Sequence, residues 1–181
     1  MEQVVFGFSL IWGMRCGFYS GDPTKLIRED LPCLKPTFFP GVPRVFNSIY
    51  SIIQNKAKSA TGAKAFLLNK GLNHKLDKSK KTGIYTSKLY DKLVFSKFKD
   101  IFGGNVRFMI NGSAPIAGDV LDFLQVCFCC PIGVAFGMTE SSGGTLNTNP
   151  GDPNTSHVGG PMANLKVKLK DIPEMGYSTD N

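Results

Sequence analysis

Histidine and tryptophan are nearly absent from this sequence, at two and one residues, and its five cysteines offer a single CxxC spacing, Cys127 to Cys130, with no second pair. Tetrahedral zinc wants that spacing and a second ligand pair. Cys127, Cys129 and Cys130 crowd together with no second ligand pair at such spacing, so small apolar core fillers describe them better than ligands. An odd cysteine count is also a poor disulfide framework, and a reducing compartment follows from it. The apolar run from Val4 to Met14 follows Glu2 rather than a basic stretch and contains two glycines, which argues against a signal peptide. A bilayer span needs roughly twenty apolar residues, which this run does not reach, and a buried helix fits it. There is no internal repeat and no low-complexity block.

What is present describes a folded protein. Apolar residues make up 42% of the 181, which excludes a disordered chain. Twenty glycines and eleven prolines imply many turns between short elements, as in a sheet-containing fold. The net charge of +7 is concentrated in Lys70, Lys75, Lys78, Lys80, Lys81, Lys88, Lys92, Lys97 and Lys99. Such a cluster fits either an anionic partner, nucleic acid or a membrane surface, or a solvated loop and helix face. The solvated reading is favoured: arginine is scarce there and no nucleic-acid motif accompanies the lysines, so no nucleic acid is expected. His74, among lysines, is expected to be solvated, and His157, before Gly159-Gly160, to make a structural hydrogen bond.

Periodicity predicts helices alternating with short strands. Val4 to Trp12 reads as helix, Arg15 to Tyr19 as strand, Leu26 to Leu34 as helix and Thr37 to Phe39 as strand. After Pro43, the spacing of Val45, Phe46, Ile49, Ile52 and Ile53 predicts a helix that ends near Gly62. The lysine-rich stretch then leads to a helix with Leu89, Leu93, Phe98 and Phe102 inward, stopped by Gly103-Gly104. Val106 to Ile110 is a strand, Asp119 to Phe128 a helix and Ile132 to Phe136 a strand. Strand, helix, strand of these lengths is a βαβ unit with parallel strands. The fold class is therefore α/β, a mainly parallel sheet flanked by helices. Both following loops, Gly112 to Pro115 and Gly137 to Thr145, must leave the carboxyl edge, where open α/β sheets bind ligands.

In the first loop, Gly112, Ser113, Ala114 and Pro115 let a flat ring approach the backbone, whose amides and carbonyls could read a purine edge. An ordinary β-to-α turn has the same composition. In the second, Phe136 offers a stacking face, Thr139 a hydroxyl for a phosphate, and Glu140 a hard oxygen ligand suited to Mg²⁺. Its serines and glycines expose amides that can cradle an anion. A polar loop with a solvated glutamate remains the alternative.

Phe136-Gly137-Met138-Thr139-Glu140 resembles the aromatic-Gly-x-Thr-Glu motif of the adenylate-forming enzymes, and Gly112-Ser113-Ala114-Pro115 resembles their adenine loop. Leu34 to Arg44, Gly17 to Asp22, Pro150-Gly151-Asp152, His157 to Pro161 and Pro173 to Tyr177 resemble the long-chain fatty acyl-CoA synthetases. The resemblance covers nearly the whole chain outside the lysine-rich stretch. It implies that ATP and a long-chain fatty acid give an acyl-adenylate and pyrophosphate, and that CoA then gives acyl-CoA and AMP. By carry-over, Gly112, Ser113, Ala114 and Pro115 line the adenine pocket and Phe136 stacks on the base. The Gly137-Met138-Thr139 backbone follows the nucleotide, Thr139 contacts a phosphate, and Glu140 holds Mg²⁺; Thr139 and Glu140 are the expected catalytic pair. The resemblance also implies an intracellular protein, cytoplasmic or on the cytoplasmic face of a membrane such as the endoplasmic reticulum, with peripheral membrane association.

Departures accompany the likeness. Phe136 stands where the family usually has tyrosine, and Ala117-Gly118 where a serine often caps the next helix, so Asp119 is the expected cap. The family's phosphate loop, ribose-binding aspartate, hinge and catalytic lysine have no counterpart in these residues. The expectation is a partial adenylation domain over 1–181, a fragment of the large N-terminal domain that does not run the whole reaction alone. Two alternatives stand: a basic, non-enzymatic α/β binding module, recognisable by one contiguous basic face, and another adenylate-forming branch acting on aryl or short-chain acids.

Overall fold

The computed structural model describes residues 2–22, 25–163 and 165–179. Helix α1 spans Glu2–Ile11. A π-helical turn, Leu26–Asp30, runs into α2, Leu31–Leu34, which ends on Lys35 in the left-handed conformation. Strand β1 is Phe38–Gly41, α3 is Pro43–Lys58 and α4 is Gly62–Thr82. The next segment winds through a short turn, α5 (Lys88–Tyr90), a π-helical turn (Asp91–Phe95), α6 (Ser96–Lys99) and a 3₁₀ turn (Asp100–Phe102). Then come β2 (Phe108–Gly112), α7 (Gly118–Phe128), β3 (Ile132–Met138), β4 (Gly143–Asn147) and β5 (Gly160–Pro161).

The five strands form one sheet in the order β1-β2-β3-β4-β5. Strands β1, β2 and β3 run parallel, while β4 and β5 are antiparallel additions. The sheet is thus mixed, and the expected βαβ unit is β2-α7-β3. Strand alternation decides which face is covered. Phe39, Met109 and Asn111 point to the helices and are buried, whereas Phe38, Pro40, Phe108 and Ile110 on the other face are only half-buried. On that second face the Phe38 and Phe108 rings stack at 5.8 Å. The main core lies between the sheet and α3, α4 and α7. It contains Phe46, Ile49, Ile53, Phe102, Leu121, Leu124 and Phe128, with Phe102 edge-on to both Phe39 and Phe128.

Several sequence expectations are corrected. Arg15 to Tyr19 is not a strand: it is exposed and pairs with no neighbour, and without a ladder partner an extended segment is not a strand. Gly62 does not end α3; that helix stops at Lys58, and Gly62 opens α4. The lysine-rich stretch up to Thr82 is itself helix, built from good helix formers and closed by Gly83 at φ 70°. Leu89 and Leu93 point outward, while Phe98 and Phe102 are buried as expected. The π-helical turn at Asp91–Phe95 explains this, because its wider winding shifts the phase of the inner stripe. Asp119 does not cap α7: Ala117 occupies the cap position without a side-chain bond, and Asp119 is exposed.

Lys75 is the other surprise. Alone among the ten lysines from Lys64 to Lys99 it is buried. Its ammonium donates to Asp91, to the Val126 carbonyl at 2.6 Å and toward Cys129 Sγ at 3.2 Å, and it lies 4.1 Å from the Phe95 ring centre. Every proton therefore has an acceptor, which is what permits a charge in a core. The Val126 carbonyl belongs to the last turn of α7, where a cation is favoured.

Candidate active site at the sheet edge

The parallel register of β2 and β3 sets Gly112 directly beside Ala135. Residues Ser113 and Ala114 leave the end of β2, and Phe136 follows Ala135, so the two expected loops start from adjacent positions on one edge of the sheet. Ser113 turns the chain with φ 75°, a conformation seldom adopted by a side-chain-bearing residue, and Ser113, Ala114 and Pro115 are all exposed. Asn111 holds this turn from below. It is fully buried, and its side-chain amide donates to the Ala114 carbonyl at 3.4 Å. Its Oδ1 is buried without a partner among the described residues. Sequence reasoning passed over Asn111; the signal was a polar residue at a core-facing strand position, two after Met109.

The second loop is more ordered than expected. Gly137 to Thr145 is not a free loop: β3 runs on to Met138 and returns as β4, with a register shift between Phe136 and Gly137. The extra residue is Thr145 on β4, which the ladder skips as in a β-bulge. Gly137 is required by packing, since a Cβ there would stand 2.1 Å from the Gly143 carbonyl oxygen. At the hairpin tip Ser141 N–H donates to the Met138 carbonyl at 3.3 Å and Ser142 N–H to the Thr139 carbonyl at 3.0 Å. The Ser141 hydroxyl accepts the Met138 N–H at 3.1 Å, and its single proton is shared between the carbonyls of Met138 and Gly143, each at 3.0 Å. Thr145 Oγ1 donates to the Phe136 carbonyl at 3.1 Å. Ser141 and Thr145 therefore fasten the turn, a role the sequence did not reveal.

That framework lifts Thr139 and Glu140 to the apex of the hairpin, both exposed, and leaves Phe136 and Met138 about half in solvent. The nine expected site residues thus sit on two neighbouring segments of one rim, with an aromatic face at its base and a hydroxyl and a carboxylate at its tip. The rim is open rather than enclosed. Concave regions lie elsewhere, one between α7 and residues 148–155, another lined by Ile27, Ser48, Ile52, Lys56 and Ile101. Among the described residues no cluster of three or more His, Cys, Asp or Glu could cage a metal. Glu140 with Thr139 suits a Mg²⁺ ion that shares its shell with phosphate oxygens and waters, since this ion is bound through one or two carboxylates.

Next to the rim, residues 148–160 are held by a histidine. His157 Nδ1 accepts the Gly159 N–H at 2.9 Å, so its proton sits on Nε2, which faces Asp152 Oδ2 at 3.2 Å. His157 thus makes the structural hydrogen bond expected of it. His74 is exposed, as expected, with its ring 5.6 Å from that of Tyr90.

A family model described as AMP-binding enzyme matches residues 1–181. The chain belongs to the AMP-binding enzyme family. Among similar proteins, it is 43% identical over 180 residues to long-chain-fatty-acid–CoA ligase 5 of Mus musculus, covering 99% of this chain and 26% of that protein. It is 42% identical over 171 residues to the peroxisomal long chain acyl-CoA synthetase 6 of Arabidopsis thaliana, covering 94% and 24%. It is 38% identical over 176 residues to long-chain-fatty-acid–CoA ligase 1 of Homo sapiens, covering 97% and 25%. The chain spans about a quarter of the length of these curated relatives. The adenylation domain of a carboxylate reductase from Mycobacterium chelonae superposes with a TM-score of 0.60 at 22% identity, over 91% of this chain and 21% of that one. The anthranilate CoA ligase AuaEII, in complex with anthranoyl-AMP, gives 0.57 at 15% identity, over 88% and 23%. At such identities these two show that the AMP-binding family fold is shared.

Proposed function

We propose that this AMP-binding chain forms the nucleotide-binding middle of a long-chain fatty acid–CoA ligase. The whole protein would join a fatty acid to ATP as an acyl-adenylate, releasing pyrophosphate, and then transfer the acyl group to CoA, releasing AMP. The observation that carries this reading is the pairing of Gly112 with Ala135, which starts both loops from one rim. The relatives named as long-chain acyl-CoA synthetases support the substrate class. Phe136 stacks on adenine, whose edge meets the backbone of Gly112, Ser113, Ala114 and Pro115. The Gly137-Met138 strand end flanks the nucleotide, and Thr139 donates its hydroxyl to a phosphate. Glu140 would hold Mg²⁺, which supplies positive charge to phosphates that an incoming carboxylate would otherwise repel. The protein works inside the cell, in the cytoplasm or on the cytoplasmic face of a membrane.

The test uses the protein at the full length its gene encodes. With palmitate, ATP, Mg²⁺ and CoA it releases pyrophosphate and forms palmitoyl-CoA. Glu140→Ala lowers adenylate formation by about a hundredfold or more, the scale of a lost metal contact, without moving the unfolding midpoint. Wild-type rates in that variant would refute the metal role, and absence of palmitate-dependent pyrophosphate release would refute the ligase reading.

A further inference from the structure

Three of the five cysteines gather where α7 ends, and the nucleotide rim uses none of them. They are not equivalent. Cys127 and Cys130 are buried, whereas Cys129 reaches solvent in part. Cys129 closes the helix in the left-handed conformation, at φ 54°, a place that most often belongs to glycine. Burial raises all three thiols, and Cys129 least: it is the least covered, and the charge and hydrogen bond of Lys75 oppose the rise. The thiol most open to solvent is thus also the most readily ionised of the three, and an oxidant acts first where a thiol is accessible and ionised.

What faces that thiol is a nitrogen nucleophile. The Lys75 Nζ lies 3.2 Å from the Cys129 Sγ, although 54 positions separate the two residues in sequence. Nitrogen and sulfur touch at this distance with nothing between them. Lys75 is fully buried, and its contacts to Asp91 and to the Val126 carbonyl hold its amine in place. Asp91 is also the base that can take a proton from it. An amine, a thiol and a proton acceptor are therefore fixed in one cluster, with the thiol on the solvent side.

We propose that Lys75 and Cys129 form a reversible covalent cross-link, a sulfenamide between Nζ and Sγ, when the protein meets hydrogen peroxide. In the first step the Cys129 sulfur attacks one peroxide oxygen and the O–O bond breaks, giving a sulfenic acid and water. Sulfur loses two electrons and the peroxide gains them. In the second step Asp91 takes a proton from the Lys75 ammonium, and the freed amine attacks the sulfur. The N–S bond forms as the S–O bond breaks, and the departing hydroxide leaves as water with a second amine proton. Ammonium and carboxylate become a neutral link and a neutral acid, so the charge of Lys75 leaves the core, where an ion carries a desolvation penalty. Two molecules of a small thiol reverse the link, returning cysteine and lysine and leaving as a disulfide. The competing partners for a sulfenic acid are the neighbouring thiols. Cys130 is disfavoured, because adjacent Cα atoms are about 3.8 Å apart, closer than a disulfide ordinarily allows. This inference does not rest on the ligase reading, since neither ATP nor fatty acid enters it.

The experiment treats the full-length protein with hydrogen peroxide, alkylates the remaining thiols in denaturant, digests with trypsin and reads the peptides by mass spectrometry. Trypsin does not cleave after a modified lysine. The expected product is therefore residues 71–78 joined to residues 108–166, lighter than the two peptides together by two hydrogens, about 2 Da. Fragmentation places the link between Lys75 and Cys129, and dithiothreitol added before alkylation abolishes it. Lys75→Arg keeps a cation beside Asp91 but removes the nucleophilic amine, so this variant stops at the sulfenic acid, which dimedone captures. Cys129→Ser leaves the ion pair in place and loses the product entirely. Cys127→Ala combined with Cys130→Ala retains it. The proposal is overturned by a Cys127–Cys129 disulfide in the parent in place of the joined peptides, by dimedone capture of Cys129 as complete in the parent as in Lys75→Arg, or by a Cys129 that peroxide leaves unmodified.

Discussion

The Lys75 ammonium bridges the Asp91 carboxylate and the Val126 carbonyl inside the core, tying α4 to the α5–α6 segment and to the end of α7. Replacing Lys75 by Met keeps the volume but strands a carboxylate and a helix-terminal carbonyl. Removing one partner of a buried pair costs about 3–5 kcal/mol, and the partial exposure of Asp91 puts the expectation at the lower end, about 3 kcal/mol. Urea unfolding of Lys75→Met against the parent measures it; a loss below about 1 kcal/mol would show a pair no stronger than a surface one.

Phe136 is half-exposed at the root of the hairpin and makes no ring contact of its own among the described residues, so its truncation should leave the fold alone. Stacking of a base on an aromatic ring is worth about 1–3 kcal/mol. Phe136→Ala is therefore expected to weaken AMP binding by about fivefold to a hundredfold, and Phe136→Tyr to preserve it. Isothermal titration of the full-length protein with AMP reads both. Equal affinity in the alanine variant would place the base elsewhere.

How much of this was written in the sequence depends on the range of the interactions. The β2-α7-β3 unit was legible because Val120, Phe123, Leu124 and Cys127 recur at helical spacing between two apolar runs, and all four are buried. The rim followed from that pattern alone, since parallel strands force both exits to one edge. The hairpin was not legible. Its signal, Gly143-Gly144-Thr145, matches a loop until the return strand is known to pair with Phe136 and Met138. Leu89 and Leu93 misled because a regular period was assumed across a π-helical turn. Lys75 misled because lysine is read as solvent-facing by default, and only its three acceptors, from segments up to 54 positions away, reverse that.

Gly137 tests whether the hairpin carries the site. A methyl group there collides with the backbone of Gly143 and Gly144, not with a movable side chain, so β3 and β4 must part locally. The sheet core lies at the other end of β3, around Ile132 and Val134. Gly137→Ala is therefore expected to cost about 1–3 kcal/mol of stability, the range for overpacking, yet to abolish AMP binding by displacing Thr139 and Glu140. Retained AMP affinity with the lowered unfolding midpoint would separate the nucleotide site from the hairpin.

Burial raises the Cys129 thiol to about 11 and Cys130 to about 12 from an ordinary 9.0, in each case chiefly by desolvation, with Lys75 partly opposing the rise at Cys129. Between pH 9 and 11 the unfolded chain therefore releases thiol protons that the folded chain still holds. A group with a raised folded pKa stabilises fully below its unfolded value and loses that contribution as pH climbs, so stability should be level in this respect up to about pH 9 and then decline. Cys130→Ala removes part of the slope. The same burial sets reactivity: Cys16 and Cys33 are exposed, whereas Cys127, Cys129 and Cys130 are wholly or partly covered and mostly protonated at pH 8. A disulfide reagent is expected to label Cys16 and Cys33 rapidly in the native chain and all five cysteines only in denaturant. Rapid native labelling of Cys129 would mean that the Lys75 cluster opens far more often than its packing allows.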